Sequence, residues 1–371
     1  MGSKLVCRRF SHARTRFQSQ NQRGVRRCRT RRAFWCLEGG RSDSATVFVK
    51  QEKPITEAEF ARLTLPTVRL FFSADLENST RLKQSAGRWS ETWLSTVLHF
   101  IRGFPQLFEA QLQERARTKG GDQHATPPVW KVLGDELIFV ATVKKRFEVL
   151  ALVESFRDAL KIWNEDVRSG TTRGPLQLKG AAWLAGFPVV NAVFQAADGR
   201  QDYAGPSIDA GFRIGKLATP RRLALSVDLA WLLLKSDLPG SIHFDGPTAM
   251  KGVAEEMGYP SLWIEVGEST YVKTEAHLLG RGVQEDRKEM LTLCESFIKE
   301  FGVPNYLPFL HDEPQLTPKP AGYDEKLSVV IEFLRREVYF VDEEQVGETT
   351  PVSPEQEKAM LESFRGGGGG S

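Results

Sequence analysis

Three short stretches carry residues whose types and spacing could do chemistry. In "FFSADLENST" (71–80) an aspartate, Asp75, stands at the end of an apolar run and is followed by small polar residues. A carboxylate so placed can hold a cation while nearby backbone N–H groups meet phosphate oxygens, although strands also end in Asp for capping reasons. In "VWKVLGDELIFVA" (129–141) two apolar runs flank Gly134-Asp135, the signal of a tight hairpin, with Lys131 interrupting the first run. Asp135 at that turn could join Asp75 as the second carboxylate of a magnesium site completed by nucleotide phosphates. In "DYAGPSIDAGFR" (202–213), Asp209 and Arg213 have the i,i+4 spacing of one helix face, and a surface ion pair is the simpler account of them.

The elements that must position these residues follow from hydrophobic patterning. Residues 67–76 read as a buried strand and 87–117 as a helix kinked or divided at Pro105. The hairpin comes next, then an amphipathic helix over 145–166, whose Glu154, Asp158 and Asp166 are expected on a solvated face. The near-continuous apolar run of 176–190 predicts a central strand, and 205–218 a helix opening with Gly-Pro. A strand and a helix capped by Ser226 follow over 221–235, and a last strand lies within 250–266. A short helix is predicted near "ITEAEFARL", with others over 284–301 and 325–339. The order is the ferredoxin-like βαββαβ plan, an α+β fold with added C-terminal helices. Trp130, Trp183 and Phe187 are read as core or pocket wall.

Composition narrows the function classes. The 371 residues are 41% hydrophobic and 26% charged, ordinary for a globular protein. No apolar run approaches the roughly 18 residues of a membrane span, so a cytoplasmic location with no membrane partner is expected. The net charge of +3 is unevenly spread. Residues 1–32 carry eleven Lys/Arg and no acid, leaving 39 basic against 47 acidic residues in the remainder. The remainder is acidic and gives little support to nucleic-acid binding. Residues 1–65 are read as a basic, disordered leader and linker, 66–270 as the catalytic domain and 271–364 as a helical extension. The "GGGGGS" end (365–371 with Arg365) reads as a flexible linker or tag remnant. Cys7, Cys28, Cys36 and Cys294 form no CxxC pair, so neither a disulfide framework nor a zinc site is expected.

Taken jointly, the three stretches resemble the class III nucleotide cyclases over residues 66–266. The family's F-x-D-x-x-x-[ST]-T is similar to Phe72–Thr80, its K-x-x-G-D to Lys131–Asp135, its D-x-x-G-x-x-V-N-x-x-x-R to Asp202–Arg213, and a later KG to Lys251-Gly252. The family's usual Asn is Asp209 here. The resemblance implies that Asp75 and Asp135 bind two divalent ions, Mn²⁺ or Mg²⁺, and that Lys131 and Asp202 read the base. It implies that Arg213 stabilises charge at the α-phosphoryl group and Lys251 contacts the β/γ-phosphates. It further implies a homodimer with composite active sites.

As a donor and an acceptor, Lys131 and Asp202 suit adenine, cytosine or uracil better than guanine, whose O6 would face the carboxylate. "KGAAWLAGFPVVN", "GPSIDAGFR" and "LALSVDLAWLL" look like the Pycsar-type bacterial antiphage cyclases, in which an Asp at position 209 is not out of place. That likeness implies conversion of UTP to cyclic UMP, read by a separate effector protein in antiphage defence. CTP is the next substrate considered, then ATP. The non-enzyme alternative is a degenerate cyclase-fold dimer that binds nucleotide without turnover.

Overall fold

A computed structural model of the protein describes residues 56–85, 90–119, 125–170, 176–196, 199–236, 242–254, 257–267, 274, 278, 287–301, 310, 312–315 and 317–337. All belong to the unit spanning Glu52–Ser371. The basic leader of 1–32, the linker to residue 55, Cys7, Cys28, Cys36, the 365–371 tail and much of 271–364 lie outside the described residues.

Strand β1 (Thr67–Leu76) is the hub. Its alternation splits the fold into two cores, because successive side chains leave a strand on opposite faces. Leu70, Phe72 and Ala74 enter the larger core, beneath helices α3 (Ser90–Lys119) and α4 (Arg146–Arg168). Phe71 points the other way, into a smaller aromatic cluster. Asp75 is in phase with Phe71, so it stands on the face away from α3 and α4.

The hairpin forms as expected, with β2 (Val129–Leu133) and β3 (Glu136–Val143) joined by Gly134-Asp135. Gly134 has φ +72°, and Asp135 is not in the positive-φ region. A positive φ at the first central position alone is the type II′ pattern, which suits the right-handed twist of the strands. β1 pairs antiparallel with both β3 and β4 (Leu178–Phe187), and β2 pairs with β3. The order β2-β3-β1-β4 is that of the ferredoxin-like βαββαβ unit, as the patterning predicted. The sheet extends past β4 through β7 (Arg222–Leu225), β9 (Tyr259–Glu265) and β8 (Ile242–Thr248), which puts β4 at the centre of seven strands.

Helix α1 (Glu57–Thr64) begins with a Thr56/Glu59 capping box, and α2 (Ser79–Ser85) follows β1. Helix α5 (Pro206–Ile214) ends four residues before the predicted limit, in a 3-10 turn over Gly215–Leu217. Ser226 caps α6 (Val227–Leu234) by accepting from the Leu229 N–H. Helices α7 (Arg287–Phe301) and α8 (Tyr323–Glu337) complete the described chain.

The structure corrects three expectations. α3 is not divided at Pro105 but runs as one element, because Phe100, Phe104, Leu107 and Phe108 are buried around it, and that packing offsets the lost backbone hydrogen bond. Glu154 is not on a solvated face. It is buried, and Arg115 reaches over from α3 to bridge Glu154 at 2.5 Å and Asp158 at 2.8 Å. The hairpin of β5 (Ala192–Gln195) and β6 (Gln201–Ala204), and strand β8, lie where the sequence reading placed no strand. Among the described residues, no helix is long and apolar enough to cross a membrane.

Candidate active site

Asp75 and Asp135 come together through strand register. Asp75 pairs with Glu136, the residue after Asp135, and the Leu76 N–H donates to the Asp135 carbonyl at 3.2 Å. Both carboxylates already have cationic partners. Lys179 Nζ on β4, directly opposite Asp75 in the sheet, lies 3.1 Å from Asp75 Oδ2 and 3.8 Å from Glu77 Oε2. Lys83 Nζ on α2 lies 3.1 Å from Asp135 Oδ1, and the Ser79 hydroxyl donates to Oδ2 of the same carboxylate. The Ser73 hydroxyl donates to Glu136 beside them.

The electrostatics of the two aspartates differ. Burial pushes the Asp75 carboxyl above its ordinary value, despite the Lys179 charge, and nearby Asp135 and Glu77 add to the rise. Burial acts to raise Asp135 too, but the hydrogen bonds from Ser79 and Lys83 and the Lys83 charge outweigh it and hold the pKa low. Two hard oxygen donors at a crowded negative locus fit a divalent cation. Among the described residues no group of three or more His, Cys, Asp or Glu side chains forms a complete metal cage. The donor set therefore fits an ion held by two carboxylates and by a substrate's phosphates, as is usual for Mg²⁺.

Lys131 and Asp202 meet in the same chain. Lys131 Nζ is 2.8 Å from Asp202 Oδ1 and 2.9 Å from Oδ2, and the Tyr203 N–H donates to Oδ1 at 2.8 Å. A bulge in β2 sets up this contact. Val129 pairs with Phe139 and Lys131 with Ile138, so Trp130 is an extra residue in the ladder. The indole contacts Phe71 and Tyr203, while the Lys131 ammonium lies 4.5 Å from its ring centre. Trp183 and Phe187 are buried in the same aromatic cluster, and Trp130 is half-buried, so all three are wall or core as expected.

Arg213 and the Lys251-Gly252 turn are also brought together. Gly252, at φ +71°, lies under the guanidinium: a Cβ there would stand 3.2 Å from Arg213 Nη1. That Nη1 is buried with no hydrogen-bond partner. Asp209, one helical turn earlier, is exposed and leaves it unsatisfied, and Lys251 is exposed as well. α5 is held by contact with β4, since Gly211 packs its backbone directly on the Trp183 indole.

The sequence reading missed Ser79, Lys83 and Lys179. Ser79, inside the first motif, and Lys83, just after it, lie four residues apart, a spacing that would put both on one helix face. Lys179 carried no local signal, since only the β1–β4 register sets it opposite Asp75.

No protein-family model matches the chain, and no curated protein does. Solved structures to which the chain is similar include the adenylyl cyclase CyaB from P. aeruginosa, at 15% identity and TM-score 0.38, with 56% of this chain and 97% of that chain covered. The guanylyl cyclase Cya2 is similar at 13% identity and TM-score 0.37, covering 56% and 95%. The guanylate cyclase domain of RhGC from Catenaria anguillulae, in complex with GTP, is similar at 13% identity and TM-score 0.38, covering 54% and 97%.

Proposed function

We propose that the protein is a metal-dependent nucleotide cyclase of the class III kind. It converts UTP to 3′,5′-cyclic UMP and pyrophosphate, as a second messenger in bacterial antiphage defence. The observation that carries the reading is the 2.8 Å Lys131–Asp202 pair in a chain whose Asp75, at the end of β1, lies beside Asp135 at the hairpin turn. A fold alone would not support it, since ferredoxin-like sheets host many functions.

In this reading Asp75 and Asp135 hold the divalent ions. When bound, these would supply activation of the ribose 3′-hydroxyl and neutralisation of the triphosphate. The 3′-hydroxyl loses its proton to water and its oxygen forms a bond to the α-phosphorus as the bond to the β-phosphate oxygen breaks, and pyrophosphate leaves with that electron pair. Lys131 donates to a uracil carbonyl while Asp202 accepts from N3–H. The Trp130 indole lies under the Lys131 ammonium and helps to hold it in place. Arg213, with a buried and unsatisfied Nη1, supplies positive charge to the α-phosphoryl oxygens, and Lys251 reaches the outer phosphates. Asp209 is a minor contributor on the same helix. The working form is a homodimer in which one subunit contributes the aspartates and the other Lys131, Asp202 and Arg213, and a separate effector reads the product.

The purified protein, incubated with each of the four nucleoside triphosphates and Mn²⁺, is expected to yield cyclic UMP, with CTP as the next best substrate. Conversion of ATP alone would sink the pyrimidine assignment. Asp75→Ala and Asp135→Ala are each expected to abolish product while circular dichroism stays unchanged. Surviving activity in either variant would remove the metal assignment.

A further inference from the structure

Four carboxylates crowd the end of β1 and the start of β3: Asp75, Glu77, Asp135 and Glu136. Like charges this close repel unless cations balance them. Two lysines from separate elements do so. Lys179 comes from β4 through sheet register, and Lys83 comes from α2 one turn after Ser79. Each ammonium lies 3.1 Å from an aspartate oxygen, and all four side chains are only partly exposed, from 23% to 34%. The contacts are not equivalent. Asp135 has both oxygens engaged, Oδ1 by Lys83 and Oδ2 by Ser79, whereas Lys179 engages Oδ2 of Asp75.

We infer that Lys83 and Lys179 are resident counter-ions of Asp75 and Asp135, holding the two carboxylates in the metal-free protein and competing with divalent ions for them. The inference rests on the metal reading above. Lys83 and Lys179 are positioning residues in this scheme. They keep a carboxylate cluster intact between turnovers, and they weaken divalent-ion binding because an ammonium must leave a carboxylate oxygen before the ion takes it. The substrate's phosphates offer the displaced ammoniums a new partner, which links metal loading to nucleotide binding.

The test is direct Mn²⁺ binding to nucleotide-free protein, read by the loss of the free-ion paramagnetic resonance signal, for wild type, Lys83→Met, Lys179→Met and the double variant. Methionine keeps the aliphatic stem and removes the charge. Binding is expected to tighten about threefold for Lys179→Met, about fivefold for Lys83→Met and roughly tenfold for the double variant, the scale of partly exposed ion pairs. Lys83→Arg is expected to stay near wild type, and Lys319→Met, which breaks a distant pair with Asp324, to change nothing. As a second readout, the melting temperature of the double variant is expected to fall without metal and to rise more than that of wild type when Mn²⁺ is added. Equal Mn²⁺ affinity in wild type and variants would overturn the counter-ion role while leaving the metal reading standing. If none of the proteins bound Mn²⁺, either alone or with a UTP analogue lacking the 3′-hydroxyl, the metal reading would fall and this inference with it.

Discussion

Lys131 and Asp202 are 71 residues apart in sequence, and their side chains meet at 2.8 Å across two different sheets. If the two read a base edge together, each is useless without the other. Lys131→Met and Asp202→Asn are each expected to lower kcat/KM for UTP by about ten- to a hundredfold, the worth of a hydrogen bond to a charged group. The double variant should cost little more than either single one, because the first substitution already breaks the unit. Additive losses, measured across the four nucleotides, would show that the residues act separately.

Arg213 depends on how α5 seats on β4. A Cβ at Gly211 would stand 2.2 Å from the Trp183 ring, closer than any packing allows. Gly211→Ala is expected to cost about 1–3 kcal/mol in a urea melt, the usual range for overpacking, and to reduce turnover by shifting Arg213. Arg213→Ala, in contrast, should lower kcat by about a hundredfold or more with little loss of stability. Equal stability losses in the two variants would contradict the distinction.

The buried Arg115–Glu154–Asp158 network predicts a large effect away from the site. Arg115→Met removes the cation that bridges buried Glu154 and Asp158, and breaking one side of such a pair costs up to about 3–5 kcal/mol. Replacing Arg115 and Glu154 together by methionine and leucine should recover most of that loss. Chemical denaturation of the three variants checks it.

Asp228, in the first turn of α6, sets a pH dependence of stability. Burial raises its carboxyl to about 6, against hydrogen bonds from the Ser226 hydroxyl and the Leu229 N–H that favour the charged form. The folded state therefore binds this proton more tightly than the unfolded chain does, so this group's contribution falls as pH rises from about 4 to about 6. A shift of about two units is worth at most about 3 kcal/mol, and the partial exposure of the side chain trims that. Asp228→Asn keeps an acceptor for both hydrogen bonds and is expected to flatten the profile. An unchanged pH slope of urea midpoints in the variant would show that other groups carry it.

Much of the frame was legible in the sequence because it rests on local patterning. An apolar run marked β1, the Gly134-Asp135 turn marked the hairpin, and Ser226 marked the start of α6. The β5–β6 hairpin escaped notice because its strands are four residues each, too short to establish a period. Glu154 was misplaced for a different reason. Its own helix reads as a mixed-charge face, and the cation that meets it in the interior, Arg115, comes from another helix.

For the site, the sequence by itself singled out candidates: the carboxylates Asp75 and Asp135 from their strand-end and turn positions, and Lys131, Asp202 and Arg213 through the family resemblance. Tertiary structure alone decided their company. Strand register set Lys179 against Asp75, a bulge at Trp130 set Lys131 over an indole, and the Gly252 turn left room for Arg213. Periodicity along a strand or helix is written in neighbouring residues, so it can be read locally. Partners across a sheet are set by register and packing, which depend on every strand at once.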